Sequence, residues 1–512
     1  MTTLSAALHV IARRTPEKVA VVSGDRSVSY GALDLASRVG GYELAARGVG
    51  PGDRILILLP NMPQFVVAVL SAYRCGAVIV PLNPLLRADE VRAALDDCGA
   101  RMVITWAGVD PQVVSAAKEA GALVIETAGE ADPFDPWADQ TQTLTVLSEP
   151  DPAALAALLY TSATTGKAKG AMLSHGALFA AADAYRQGLS LEASDIQVAF
   201  LPLFHSFGMS VILNASIIAG GTIVLSGRFE PSAAVDLIAS SGATVVAAVT
   251  PMFAALIAEV GRRSEAPNFS RVRLVGGGAT SIPPDLASRL VAAFGAKVVQ
   301  GWGLSETGAA GTFTPEQTSL ALGDIGVPLP GVEVRIVDGQ GNDVDDEESG
   351  EIWIRGRTRM DGYYANPQAT AEAITSDGWL RSGDIGRRSV TGSYFFQDRI
   401  KELIKRSGYN VYPAEIEAIL YKHPQVKLAA VIGLPDQSVG EEVAAVVVRS
   451  GPEPIDIQAL RQWVKDQVAP YKYPRFIAEA ESLPLAPSGK IVKRRIDRIA
   501  LFPDHYSTEK AR

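Results

Sequence analysis

Residues 155–170 read Leu-Ala-Ala-Leu-Leu-Tyr-Thr-Ser-Ala-Thr-Thr-Gly-Lys-Ala-Lys-Gly. The apolar run 155–159 predicts a buried strand. It delivers the chain into a loop carrying Thr161, Ser162, Thr164, Thr165, Gly166, Lys167, Lys169 and Gly170. Hydroxyls and free backbone N–H groups in a tight turn converge on one place, and lysines add point charge. Such a loop suits a polyphosphate. It is not a Walker A loop, because Thr161 and Ala168 stand where that motif needs Gly and Ser/Thr. The alternative, an ordinary polar surface loop, does not account for so many donors.

The same rhythm extends on both sides. Short apolar, β-branched runs at 54–59, 77–81, 102–105, 123–126, 244–249, 272–275 and 298–300 alternate with helical patterns at 63–74, 88–97 and 233–240. This alternation predicts an α/β fold whose parallel sheets are covered on both faces. From 331 to 400 strands dominate, which predicts a β-rich subdomain. After Lys401 the pattern is mixed α+β, with a helix near 413–421 and strands at 428–432 and 443–449. The acidic cluster 343–348 reads as a solvated turn.

Composition bounds the function. At roughly 150 residues per domain, 512 residues make three or four domain-sized units. With 47% hydrophobic and 20% charged residues, long disorder is excluded. Two cysteines, Cys75 and Cys98, cannot make a disulfide framework, so a reducing cytoplasm is expected. The five histidines are scattered, which argues against structural zinc. A net charge of −9 disfavours nucleic acid. From Arg399 onward, however, 18 basic residues face 14 acidic ones. A basic C-terminal part on an acidic body fits an anionic ligand held between them, or plain surface variation. The stretch 198–227 carries no Asp, Glu, Lys or Arg and is long enough to span a bilayer. Pro202, His205, Ser206, Asn214 and several glycines break it, so strand, helix, strand is expected instead.

Further motifs follow. Gly301-Trp-Gly-Leu-Ser-Glu-Thr-Gly308 places Trp302, Ser305 and Glu306 after an apolar run. Trp302 offers either core packing or a face for base stacking, worth ~1–3 kcal/mol in single-stranded nucleic-acid systems. Glu306 is a hard oxygen donor suited to Mg²⁺ on phosphate. The run Gly276, Gly277, Gly278 fails the dinucleotide pattern because Ser281 stands at its last glycine. Asp384, in Gly-Trp-Leu-Arg-Ser-Gly-Asp-Ile, is a turn residue or a ribose-binding carboxylate. Asp398-Arg-Ile-Lys401 marks a boundary, and Ser488-Gly-Lys490 lies in a loop near the end.

Together with 73–84 and 202–208, this ordered set resembles the adenylate-forming superfamily of acyl-CoA synthetases, non-ribosomal adenylation domains and luciferases. The resemblance spans most of the chain. It implies an N-terminal adenylation domain at 1–398 with its β-rich subdomain at about 331–398. A hinge at 399–401 and a mobile C-terminal lid at 402–512 complete the architecture. It also implies two steps: a carboxylate attacks the α-phosphate of ATP, and a thiol, usually coenzyme A, takes the acyl group. Repulsion between anions is the difficulty, so neutralisation and alignment do the catalysis.

Carried over by resemblance, Lys490 bridges carboxylate and α-phosphate, and Ser305 lies near the latter. Mg²⁺ binds through Glu306. Thr161, Ser162, Thr164, Thr165, Gly166 and Lys169 hold the pyrophosphate, with Gly277 and Gly278 in the nucleotide site. Asp384 and Arg399 take the ribose, and Trp302 stacks on adenine. Lys401 matches the hinge position, and Gly408 borders the pantetheine tunnel.

The loop departs from the family pattern at Ala163 and Ala168, where Gly and Pro are usual. Neither change removes a ligand, and Ala168 costs only ~0.4–1 kcal/mol through the unfolded chain. Asp398 stands where Gly is common. The segment Pro-Leu-Phe-His-Ser-Phe-Gly at 202–208 lacks the Asp of amino-acid-activating relatives. A buried α-ammonium would go unpaired there. Acetate-specific relatives have Trp where this chain has Gly303. The expected pocket is therefore open and apolar, lined by His205, Phe207, Met209, Gly276 and Gly303. It suits a medium or long fatty acid or an aromatic acid. His205 gates or lines it, or is merely packed. An acyl carrier protein as acceptor, or a non-catalytic nucleotide-binding role, are the alternatives. Oligomeric state stays open, a homodimer included.

Overall fold

A computed structural model of the chain describes residues 2–127, 132, 134–136, 147–161, 168–317, 319–485 and 491–510. The chain divides into two compact units, Met1–Val334 with Trp353–Arg381, and Arg335–Ile352 with Ser382–Arg512. Parts of the 331–398 stretch thus fall in each. No helix of the described residues is long and apolar enough to cross a membrane.

Two sheets organise the first unit. One runs in the order Gly362–Tyr363, Lys169–Ser174, Leu155–Thr161, Val78–Pro81, Arg54–Leu58, Met102–Trp106, Leu123–Thr127. From Leu155–Thr161 to Leu123–Thr127 all neighbours are parallel, whereas Lys169–Ser174 and Gly362–Tyr363 are antiparallel additions. The other sheet joins Lys297–Trp302, Leu274–Gly277, Val245–Ala248, Ile196–Ala199, Thr222–Leu225 and Val19–Ser23 as parallel neighbours. Continuous apolar strands of this kind need helices on both faces. Helices Ala88–Cys98 and Pro111–Glu119 bury Val91, Leu95, Val113 and Ala117 on one sheet, and Pro231–Ser241, Thr250–Val260 and Pro284–Phe294 cover the other.

Helix Pro63–Arg74 starts at Pro, which is preorganised for the first helical position. All its residues are buried. It packs against Tyr30–Ala46, where a Cβ on Gly40 would lie 2.2 Å from Ser71 Oγ. Arg74, at the end of this apolar helix, is balanced by Asp34 and Glu149. The uncharged 198–227 stretch is strand, then a π-helical turn Gly208–Asn214 with a short helix Ala215–Ala219, then strand, as expected. The expected strand at 272–275 lies two residues later, at Leu274–Gly277, because Gly276 and Gly277 pair with Ala247 and Ala248 on one side and Val299 and Gln300 on the other.

The second unit is built on the long hairpin Val426–Asp436 with Gly440–Arg449. Both faces are apolar. Ala429, Val431, Val443 and Val447 face helices Pro413–Leu420 and Ile457–Lys465, while Ala430, Ile432, Val446 and Val448 face Leu483, Ile496 and Phe502. The acidic turn 343–348 is not purely solvated, since Asp346 and Glu347 pair with Arg388 and Arg387.

His175 opens helix His175–Gly188 and is 1% exposed, its ring edge-on to Tyr73 at 5.3 Å. Burial pushes its pKa down to about 4, with Glu149 opposing. The positive end of the helix also disfavours an imidazolium. Below its ordinary titration range the unfolded chain takes up a proton that the folded chain refuses until about pH 4, so stability falls as pH drops through that interval. Thermal unfolding of wild type and His175→Phe between pH 7 and pH 4 should show a shallower decline for the variant. Parallel curves would mean that His175 does not titrate there.

Candidate functional site

Antiparallel pairing sets Thr161 opposite Lys169, so the two ends of the hydroxyl-rich loop stand side by side. Ser162, Thr164, Thr165 and Gly166 lie outside the described residues, as does Lys490. Lys169 extends its ammonium to 5.0 Å from the Tyr363 ring centre. That range is attractive for a cation over an aromatic face. The phenol of Tyr363 donates to Glu306 Oε1 at 2.7 Å. Burial, and then the Glu306 charge, push the Tyr363 phenol above its ordinary pKa, so it stays a donor. Glu306 and Ser305 share the single-turn 3₁₀ segment Ser305–Thr307, closed by Gly308 at φ +57°. Lys169 and Glu306, both named from sequence, are thereby connected through Tyr363, which sequence reasoning missed, and Thr161 joins them as the ladder partner of Lys169. Its signal was weak: a tyrosine within a short Gly362–Tyr363 strand.

A second feature of the same unit is an apolar cavity of about 110 Å³. Phe207, Gly276 and Gly303 line it as expected, with Tyr185, Leu189, Val211, Val299 and Phe313. Gly277 and Gly278, read from sequence as nucleotide-site residues, also line this cavity. Each makes room for a neighbour: a Cβ on Gly277 would meet Ile282 at 2.4 Å, and one on Gly278 the Phe207 ring at 2.9 Å. Met209 is fully buried, and neither it nor the partly buried His205 is among the lining residues. His205 packs its ring 4.7 Å from Phe204, burial lowers its pKa, and its Nε2 has no hydrogen-bond partner among the described residues. Among the described residues no lining side chain is charged.

Trp302 is only 9% exposed, and its indole packs over Gly311, where a Cβ would approach Cε3 at 2.8 Å. At Gly303 a Cβ would lie 1.7 Å from the Ala309 carbonyl oxygen, which also accepts the Tyr185 phenol at 2.7 Å. The glycine is required by backbone approach, beyond any role in keeping the pocket open.

In the second unit Asp384 and Arg399 are direct cross-strand partners, with Arg399 Nε 3.5 Å from Asp384 Oδ1. Asp384 is 4% exposed. Asp398 accepts from the N–H groups of Arg399 and Ala414, and burial pushes its carboxyl up to about 6. Lys493 bridges Glu402 and Glu417 at 3.1 and 2.8 Å. Lys401 lies in the turn Ile400–Glu402. Gly408 follows Ser407 in the hairpin between Ile404–Arg406 and Tyr409–Val411, both at positive φ (+80° and +51°). Such a two-residue turn demands Gly or a small polar residue.

The AMP-binding enzyme model matches residues 8–364, and its C-terminal domain model matches 415–490. The chain belongs to the AMP-binding enzyme family. Within this adenylate-forming superfamily it is of the acyl-CoA synthetase type. A feruloyl-CoA synthase of Amycolatopsis sp is 36% identical over 95% of this chain and 97% of its own. A sulfoacetate–CoA ligase of Cupriavidus necator is 34% identical over 96% and 97%. The o-succinylbenzoate-CoA synthetase of Bacillus subtilis, solved with its acyl-adenylate intermediate OSB-AMP, superposes with a TM-score of 0.85 at 29% identity, covering 97% of this chain and 99% of that one.

In this AMP-binding enzyme the cavity glycines separate into two kinds. Gly276→Ala would set its Cβ 3.6 Å from Val299, an ordinary contact, whereas Gly303→Ala drives a methyl into backbone. Thermal melts should show Gly276→Ala close to wild type and Gly303→Ala destabilised by about 1–3 kcal/mol or more. Equal melting of the two variants would contradict this placement.

Proposed function

We propose that the chain is an ATP-dependent ligase that activates an uncharged-bodied aromatic carboxylic acid as acyl-AMP and passes the acyl group to coenzyme A. The apolar cavity carries this reading. Its volume, about 110 Å³, is of the order of the roughly 150 Å³ engineered cavity that holds benzene. One ring fills such a space, whereas a long alkyl chain would extend beyond it. A second carboxylate or a sulfonate would be buried there without a partner, which is costly. The feruloyl-CoA synthase relative supports an aromatic acid, and the fatty acid expected alongside it is the second reading.

The reaction brings an anion to a polyanion, so the protein's work is charge neutralisation and alignment. In this proposal the hydroxyls of Thr161, Ser162, Thr164 and Thr165, with Lys169, grip the leaving pyrophosphate. Ser305 lies by the α-phosphate, and Lys490 neutralises the attacking carboxylate and the α-phosphate together. Asp384 accepts the ribose hydroxyls while Arg399 orients it, Trp302 borders the adenine, and Gly277 and Gly278 border the nucleotide as well as the acid. Lys401 is the hinge residue, and Gly408 borders the path of the thiol. The donor set at Glu306 fits Mg²⁺: Tyr363 occupies Oε1, and no described residue bonds Oε2. One carboxylate plus phosphate oxygens is how Mg²⁺ is commonly held, and it would shield the phosphate charge.

Pyrophosphate release measured acid by acid, with and without coenzyme A, tests this. Substituted benzoates or phenylpropenoates should exceed hexadecanoate in kcat/KM by roughly tenfold or more. A preference for hexadecanoate would overturn the aromatic reading. Turnover only with an acyl carrier protein would replace coenzyme A as acceptor, and release with no acid would sink the ligase itself. In a second experiment, Lys490→Ala should lose about 10²–10³-fold in acyl-adenylate formation yet still form thioester from supplied acyl-adenylate. Equal loss of both halves would remove Lys490 from this role.

A further inference from the structure

Segment 360–363 touches both arms of the candidate phosphate site. Met360 N–H donates to the Glu306 carbonyl at 2.7 Å, and three residues later the Tyr363 phenol donates to the same residue's carboxylate at 2.7 Å. Glu306 is therefore held by backbone and side chain at once. Tyr363 itself is pinned: it pairs with Ala171 in the sheet, and its N–H donates to Thr370 Oγ1 at 2.9 Å. Its ring lies beneath the Lys169 ammonium, at the first residue of strand Lys169–Ser174. One rigid side chain thus touches an acid and a base that belong to elements about 140 positions apart in sequence, 169 and 306.

We propose that Tyr363 is a positioning residue that fixes the Glu306 carboxylate for a divalent cation with its hydroxyl and the Lys169 ammonium for phosphate with its ring. This rests on the reading of Glu306 and Lys169 as metal and phosphate residues. The hydroxyl occupies one carboxylate oxygen and so aims the other outward. Hydrogen bonds of this kind behind a metal-binding carboxylate typically govern metal affinity by roughly 10–100-fold. The ring positions a flexible lysine without consuming its three donors.

Two variants separate the contributions. Tyr363→Phe keeps the ring and removes the hydroxyl, and Tyr363→Leu removes both. Calorimetric binding of a non-hydrolysable ATP analogue, with and without Mg²⁺, measures how far the metal strengthens nucleotide binding. Tyr363→Phe should lose roughly 10-fold or more of that enhancement while metal-free binding of the analogue stays within about twofold of wild type. Tyr363→Leu should also weaken metal-free binding. In turnover, both should raise the Mg²⁺ concentration for half-maximal acyl-adenylate formation and leave thioester formation from supplied acyl-adenylate unchanged. Glu306→Gln is the reference. If it abolishes the Mg²⁺ enhancement and Tyr363→Phe does not change it, the role of Tyr363 is overturned and that of Glu306 stands. If Glu306→Gln also leaves the enhancement intact, the assignment of Glu306 falls with it. Loss of both half-reactions together in Tyr363→Phe would mark a structural role and overturn the proposal.

Discussion

One antiparallel pairing governs the candidate phosphate site. Strand Leu155–Thr161 sits in a parallel sheet, yet the chain turns back at once into Lys169–Ser174. A parallel return would need a crossover of a dozen or more residues, whereas an antiparallel one needs only a short connection. The connecting residues are those rich in hydroxyls and glycine, and their ends at Thr161 and Lys169 are fixed by the ladder. Because strand Lys169–Ser174 then presents an outer edge, Gly362–Tyr363 can add to it, and through that addition the Glu306 turn is held to the same sheet. A one-residue slip would invert every side chain of the short outer strand and take Tyr363 away from both partners.

Glycine serves two purposes here that look alike in sequence. Gly40, Gly277, Gly278, Gly303 and Gly311 let protein approach protein: a helix, Ile282, Phe207, the Ala309 carbonyl and the Trp302 ring each occupy the space of the missing Cβ. Gly308 and Gly408 supply positive φ at turns. Gly276 alone in its run has only ordinary contact distance around it. A glycine-rich stretch after a strand therefore carries little information about ligand on its own, since close packing of a sheet against its own helices produces the same letters.

The parallel sheets were legible because their strands are continuous apolar runs, and helix Pro63–Arg74 because Pro opens it and Cys75-Gly76 follows its end. The motifs singled out Glu306, Asp384 and Arg399, but Asp384, read as a turn residue or a ribose-binding carboxylate, lies on strand Leu380–Arg388, opposite Arg399 on strand Tyr394–Arg399. Illegible were the contacts made between distant segments. Tyr185 meets Ala309 across 124 positions, and Tyr363 meets Glu306 across 57. Nothing in either tyrosine's local sequence marks its partner, because the register that joins them is decided by strands elsewhere. Lys493 is a similar case, since Glu402 and Glu417 reach it only through the fold.

Family and acid selectivity are therefore written at different scales. Motifs spread along the chain decide the first. For the second, overall similarity is a poor guide, since a feruloyl-CoA synthase and a sulfoacetate–CoA ligase align to this chain with nearly equal identity. An acid carrying a sulfonate and one carrying an aromatic ring make opposite demands on a buried wall: the first needs a cation or several donors, the second needs flat apolar surface. In the proposed reading, the described lining of Leu189, Phe207, Val211, Val299 and the glycines answers the second demand. On that reading a handful of side chains from separate elements outweighs hundreds of aligned positions, because discrimination depends on the free energy of those few contacts and the remainder of the chain is common to both cases.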